Sequence, residues 1–215
     1  MRIVLIGQQD FGKASMEAFL KRGDTIAAVF CAPEKGRPDP LRVAAEAAGL
    51  TVHQFPKLTD PAALEAMRAA KADIGVMAYV TQFVPQDFCN IPTFGTIQFH
   101  PSLLPLHRGA SSMSWSIICG RTETGFSIFR PTDGLDEGPV IYTRSVRIEP
   151  EDTLGTLYFG KIFPAGLYQK VHLDCGFPLV AYLTNQSLGN LQLAEGKRVF
   201  ASFKATAVHL IRTRN

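Results

Sequence analysis

The side chains best placed to do chemistry are a histidine and an aspartate. His100 stands in the run Gln98-Phe-His-Pro-Ser-Leu-Leu-Pro-Leu-His-Arg108, directly after a β-like stretch that starts at Gly95. That placement predicts a histidine at the carboxyl tip of a strand, where ligands gather in open parallel α/β sheets. Pro101 and Pro105 stiffen the exit loop and forbid an immediate helix. Asp136 lies 36 residues further on, in the glycine-bounded turn Asp133-Gly-Leu-Asp-Glu-Gly138. The backbone freedom of that turn allows it to approach the strand tips. A carboxylate beside an imidazole favours the charged ring, which can stabilise a developing oxyanion or relay a proton. Spacing leaves the plainer alternative open: a hydrogen-bonded histidine and a solvated turn aspartate that never meet.

Other chemistries fit the sequence less well. The opening turn Gly7-Gln-Gln-Asp-Phe-Gly12 carries two glycines but not the G-x-G-x-x-G spacing, and no acidic residue is well placed after the second strand for a ribose. NAD is therefore not expected, and a tight strand-to-helix turn accounts for the glycines. The histidines at 53, 100, 107, 172 and 209 lack HExxH spacing and any nearby cysteine pair, so no metal site is expected. Ser102 and Ser127 lie outside any G-x-S-x-G context, which argues against covalent serine chemistry. Cys31, Cys89, Cys119 and Cys175 are far apart and read as free thiols in a reducing compartment.

The elements that must position His100 and Asp136 follow from local pattern. An apolar run Arg2–Ile6, a helical pattern Phe11–Leu20 and a β-branched run Thr25–Phe30 make a βαβ opening. Helices are expected over Leu41–Ala48 and Pro61–Ala70, the second with Asp60 as N-cap and Pro61 at its first position. Asp73–Ala78 reads as a buried strand, Thr81–Cys89 as a short helix interrupted by Pro85, and Thr96–Phe99 as the strand that carries the histidine. Ser111–Cys119 is a helix candidate with the only tryptophan, Trp115. Phe126–Phe129 and Val140–Ile148 read as strands around the acidic turn, and Asp152 and Thr153 cap a helix over Leu154–Ile162. The alternation implies an α/β, Rossmann-like, doubly wound and mostly parallel sheet. Beyond about Gly166 the pattern weakens. The expected organisation is a catalytic domain over 1–166 and a poorly patterned extension over 167–215.

With 46% apolar and 19% charged residues the chain can bury a core, which argues against disorder. A formal net charge of +3 makes no case for a dedicated nucleic-acid surface. The five-residue apolar run before Gly7 is too short for a signal peptide, and no later run nears the ~20 residues of a membrane span, so a cytoplasmic protein is expected.

Longer motifs add weight to the His100–Asp136 pairing. His100-Pro-Ser-Leu-Leu-Pro-Leu-His-Arg-Gly-Ala-Ser, Gly134-Leu-Asp-Glu-Gly and Glu151-Asp-Thr-Leu-Gly-Thr-Leu-Tyr together resemble the 10-formyltetrahydrofolate-dependent formyltransferases. Ile6-Gly-Gln, Arg37-Pro-Asp-Pro-Leu, Thr81-Gln-Phe-Val-Pro, Gly125-Phe-Ser-Ile-Phe and Phe163-Pro-Ala-Gly extend the likeness over roughly residues 1 to 166. It is greatest to the N-terminal hydrolase domain of 10-formyltetrahydrofolate dehydrogenase, with a methionyl-tRNA formyltransferase-like core. The resemblance implies a formyltransferase fold, with 10-formyltetrahydrofolate as formyl donor and no metal. It implies that His100 and Asp136 are catalytic, and that Gln98, standing where the transferases of the family have asparagine, is a third catalytic residue whose amide donates to the oxyanion. It further implies a pterin against Met77, Ala78, Tyr79 and Gln82 and against the turn Thr132, Asp133, Gly134. Leu103, Leu104 and Pro105 are implied to shape the site, with Arg108 nearby and Leu106 in place of a usual arginine. The implied reaction is removal of the formyl group to water or an amine acceptor. Methionyl-tRNA or amino-sugar N-formyl transfer, and a non-catalytic folate-binding module, are the alternatives. The partners expected are the folate and an amine acceptor, with no membrane and no nucleic acid other than a tRNA.

Overall fold

The structure, a computed structural model, describes residues 1–34, 36–162, 168–174, 176, 178–184, 188–189 and 191–200. It divides into two compact units, Met1–Leu167 and Tyr168–Asn215. In the first, strands β1 (Arg2–Gly7), β2 (Thr25–Cys31), β3 (Val52–Gln54), β4 (Ile74–Ala78), β5 (Thr96–His100), β6 (Glu123–Phe129) and β7 (Val140–Arg147) form one sheet. Their order is β3-β2-β1-β4-β5-β6-β7. β3 through β5 are parallel neighbours, whereas β6 pairs antiparallel with both β5 and β7. The sheet is thus α/β and mostly parallel, with an antiparallel edge.

β1 explains why its sequence is a continuous apolar run rather than an alternation. Ile3 and Leu5 enter one buried cluster with Met16, Ile26, Val29 and Leu41, while Val4 and Ile6 enter another with Phe30, Met67 and Phe88. Both faces are covered, as parallel strands require. Helices α1 (Gln9–Arg22), α2 (Pro40–Ala47) and α3 (Pro61–Ala69) supply the covers. Asp60 caps α3 through the Ala62 N–H, with Pro61 at the first position. Gly7 needs no nucleotide to explain it: a Cβ there would stand 2.2 Å from the Ala78 carbonyl oxygen.

Several local expectations are corrected. Thr81–Pro85 is not helical, and only α4 (Gln86–Cys89) forms, with Pro85 as its N-cap. A proline lacks the N–H a helix interior needs but is well tolerated at a helix start. Val52–Gln54 is a strand that its three residues were too short to reveal. The helix expected over Leu154–Ile162 is π-helical from Thr156 to Ile162, with the Thr153 hydroxyl accepting from the Thr156 N–H. Between His100 and Asp136 lie the loop 101–111, helix α5 (Ser112–Ile118) and strand β6.

Cys31 and Cys89 are buried free thiols, and burial pushes them up to about 12 and about 11. Cys119 is free and exposed, and Cys175 lies outside the described residues. The motif Phe163–Gly166, and the expected domain boundary beside it, also lie outside them. In the second unit, β8 (Tyr168–Asp174) and β9 (Pro178–Thr184) form an antiparallel pair where the sequence had suggested little pattern. No helix among the described residues is long and apolar enough to cross a membrane.

Candidate active site

The chain leaves β1 toward one side of the sheet and β4 toward the other, so β1 and β4 flank the switch in strand order. A cleft of about 1140 Å³ opens at the carboxyl ends of the strands beside this switch, where open α/β sheets bind ligands. Phe11 of α1, Met77 and the segment Tyr79–Val84 after β4, and Gln98–Pro101 at the end of β5 line it. Gly109–Ser114, the turn Pro131–Asp136, and Leu154, Gly155 and Tyr158 complete the walls.

His100 and Asp136 do meet. His100 Nδ1 stands 3.4 Å from Asp136 Oδ2, and the two side chains retain only 6% and 11% of their exposure. The other ring nitrogen, Nε2, lies 3.0 Å from the His107 carbonyl oxygen. Both nitrogens therefore face acceptors, and a ring protonated at both would donate to each. Asp136 is further engaged. Its Oδ1 accepts from Gln98 Nε2 at 2.9 Å, and its Oδ2 accepts from the Gly109 N–H at 2.8 Å.

The backbone explains how the turn delivers that carboxylate. Arg130 N–H bonds the Pro139 carbonyl and Thr132 N–H bonds the Glu137 carbonyl, closing the β6–β7 connection. Gly138, at φ 138°, lies so close to the Arg130 carbonyl that a Cβ would be 1.8 Å from its oxygen. Asp136 itself sits at φ 44°, a left-handed conformation that aspartate and asparagine tolerate better than most side chains. Tyr79 and Ser111, at φ 60° each, share this conformation on the cleft wall. Such strained residues concentrate at functional sites.

A buried hydroxyl network shapes the loop after His100. Ser127 Oγ donates to the Ser102 carbonyl at 2.7 Å and accepts from the Leu104 N–H at 3.0 Å. Ser102 Oγ donates to the Leu106 carbonyl at 2.6 Å. The two serines thus serve as pins for the histidine loop, in keeping with the absence of a nucleophile context.

Of the residues expected around a ligand, Met77, Tyr79, Gln82, Thr132, Asp133 and Gly134 line the cleft, together with His100, Asp136 and Gln98. Ala78, Leu103, Leu104, Pro105 and Arg108 are not among its lining. The Ala78 carbonyl accepts from the Gln8 N–H, Leu103 packs toward Gly125, and Arg108 is exposed. Phe11, Phe99, Gly109–Ser114, Leu154, Gly155 and Tyr158 were not anticipated. They reach the cleft through long-range packing, and the signals they carried were the end of the His100–Ser111 motif and the Glu151–Tyr158 motif. Among the described residues no three histidines, cysteines or acids come together to hold a metal ion.

A family model described as formyl transferase matches residues 1–160, and one described as a TOBE domain matches 170–210. The mitochondrial 10-formyltetrahydrofolate dehydrogenase of Mus musculus is 41% identical over 173 residues, covering 78% of this chain and 19% of that protein. The methionyl-tRNA formyltransferase of Phenylobacterium zucineum is 34% identical over 165 residues, covering 74% and 54%. A phosphoribosylglycinamide formyltransferase from Bacillus halodurans shares the fold, with a TM-score of 0.64 at 22% identity over 74% of this chain and 86% of that one. So does a formyltetrahydrofolate deformylase from Pseudomonas syringae pv. tomato, at TM-score 0.61 and 23% identity over 73% and 54%. The chain spans about a fifth of the length of the dehydrogenases it matches.

Proposed function

The chain belongs to the formyl transferase family, and on that premise we propose that it removes the formyl group of 10-formyltetrahydrofolate at the His100–Asp136 cleft. The observation that carries this reading is the contact of His100 Nδ1 with Asp136 Oδ2 inside a cleft walled by Phe11, Met77, Phe83 and Phe99. Flat apolar walls with a few polar groups at one end suit a heterocycle held by its edge. The pterin rests against Met77, Tyr79–Gln82 and Thr132–Gly134, and the formyl carbon comes beside His100.

The attacking group adds to the formyl carbon and loses a proton to Asp136. Negative charge builds on the formyl oxygen, and a doubly protonated His100 ring next to it supplies the opposing charge. The carbon–nitrogen bond then breaks, N10 of the folate takes up a proton, and formate or a formylated amine leaves. The cleft lining includes Asp133 and Asp136 but no lysine or arginine among the described residues. That favours water over a phosphorylated or nucleic-acid acceptor, which would bring negative charge beside two carboxylates.

The test is formate release from 10-formyltetrahydrofolate with water alone, then with candidate amines. His100→Ala and Asp136→Asn are expected to lower turnover ~10²–10³-fold, the cost of losing one oxyanion-side group, with the fold preserved by circular dichroism. Wild-type turnover in Asp136→Asn would overturn the mechanism. Folate binding without turnover in the unaltered chain would establish the non-catalytic reading instead.

A further inference from the structure

We infer that Gln98 is a positioning residue that works through Asp136 rather than a donor to the formyl oxygen; the inference rests on the activity proposed above. Gln98 and His100 are two apart on β5 and so project to the same face of the sheet. Their backbone is fixed on both sides, Gln98 standing opposite Met77 of β4 and Phe129 of β6. Asp136, by contrast, sits on a connection between strands, in a left-handed conformation.

A carboxylate on such a turn can rotate about its last side-chain bond and present either oxygen to the histidine. Two contacts oppose that rotation. Gln98 Nε2 holds Oδ1 at 2.9 Å, and the Gly109 N–H holds Oδ2 at 2.8 Å. With Oδ1 held from the strand, Oδ2 is the oxygen left facing His100 Nδ1. The tie therefore selects which oxygen addresses the ring and links the turn to a strand interior to the sheet.

Side-chain length matters to this arrangement. Shortening the side chain by one methylene withdraws the amide by about 1.5 Å and takes its nitrogen out of hydrogen-bonding range of Asp136. One N–H of the Gln98 amide is taken by the carboxylate, so its loss should be felt first as a misplaced base, and the second N–H is what the cycle below tests for a direct contact with the substrate. Misplacing a catalytic group lowers the rate of the bound complex more than it weakens substrate binding.

A double-mutant cycle decides the matter. Formate release is measured for the unaltered chain, Gln98→Leu, Asp136→Asn and the double variant. Gln98→Leu is expected to lower kcat about tenfold or more while KM for the folate stays within about twofold. In the Asp136→Asn background the same change should alter kcat by less than about twofold, because its effect has already been removed. A further tenfold fall in the double variant would show that Gln98 acts on the substrate directly and would overturn the inference. So would unaltered kcat in Gln98→Leu, or a loss confined to KM. Should the unaltered chain release no formate, the proposed activity fails by itself. The four proteins then test the tie through urea unfolding, in which coupled losses support it and strictly additive losses overturn it.

Discussion

The two halves of the seven-stranded sheet are held together by different means. In the parallel half, β1 and β2 send side chains into two apolar clusters, and Phe30 packs edge-on against Phe88 with ring centroids 5.1 Å apart. In the other half the buried side chains are often polar. Of the eight buried polar residues among those described, only Asp39 lies in the first half. Thr96, His100, Ser102, Ser112, Ser116, Thr124 and Ser127 fall between β5 and β6. The outermost strand of that half, β7, is exposed at every residue except the partly covered Val146. Apolar burial is non-directional and supplies bulk stability. Buried hydroxyls must each find a partner, so they specify one loop shape. The first half is the anchor and the second is the instrument.

That division can be tested by substitutions whose effects on stability and turnover should separate. Phe30→Ala, in the apolar half, is expected to cost about 3–5 kcal/mol of unfolding free energy while leaving kcat of the folded fraction within about twofold. Urea unfolding and formate release measured together would check this, and a collapse of kcat in folded protein would break the division. Ser127→Ala, in the hydrogen-bonded half, should cost only about 1–3 kcal/mol. It should nonetheless lower kcat, because the Leu104 N–H loses its acceptor and the loop after His100 loosens. Unaltered turnover there would show that the loop holds its shape without the serine.

The smallest effect is expected where the instrument meets solvent. Burial alone would raise the Asp152 carboxyl, but hydrogen bonds from Lys161, the Glu149 N–H and Thr156 outweigh it and hold the group below its ordinary value of 3.8. A depressed carboxylate stabilises the folded state at pH above that ordinary value and loses the contribution as pH falls through the depressed one. The urea midpoint of the unaltered chain should therefore drop more between pH 6 and about pH 3 than that of Asp152→Asn. Equal drops would remove Asp152 from the account of how the Thr156–Ile162 segment is held.

Much of this architecture was legible in the chain. Apolar runs such as Arg2–Gly7, and the caps Asp60 and Thr153, act over a few residues, so their pattern survives in the sequence. His100 and Asp136 stood out as candidates because a proline-bounded loop and a glycine-bounded turn are local signals, but their pairing was expected only from the resemblance of the longer motifs to a known family. Their approach to 3.4 Å depends on the antiparallel pairing of β5 with β6, which no short window contains. For the same reason the Gln98 tie to Asp136, and the placing of Phe11 and Tyr158 in the cleft wall, were hidden. Ser102 and Ser127 stand inside the motifs His100-Pro-Ser-Leu-Leu-Pro and Gly125-Phe-Ser-Ile-Phe, but their part as pins was hidden, since a buried pin leaves no mark in spacing.

The left-handed turn at Asp136 also bears on how such a protein could descend with altered purpose. A backbone at φ 44° admits few side chains comfortably, and asparagine, glycine and aspartate head that short group. Aspartate and asparagine differ by a single base in their codons and are almost identical in shape. The replacement the turn accepts with least strain is thus the one that discards the charge and keeps the cleft. One base change there would cost the proposed reaction ~10²–10³ in rate while the backbone of the turn kept its conformation, so the charge at this position is easier to lose than the shape around it.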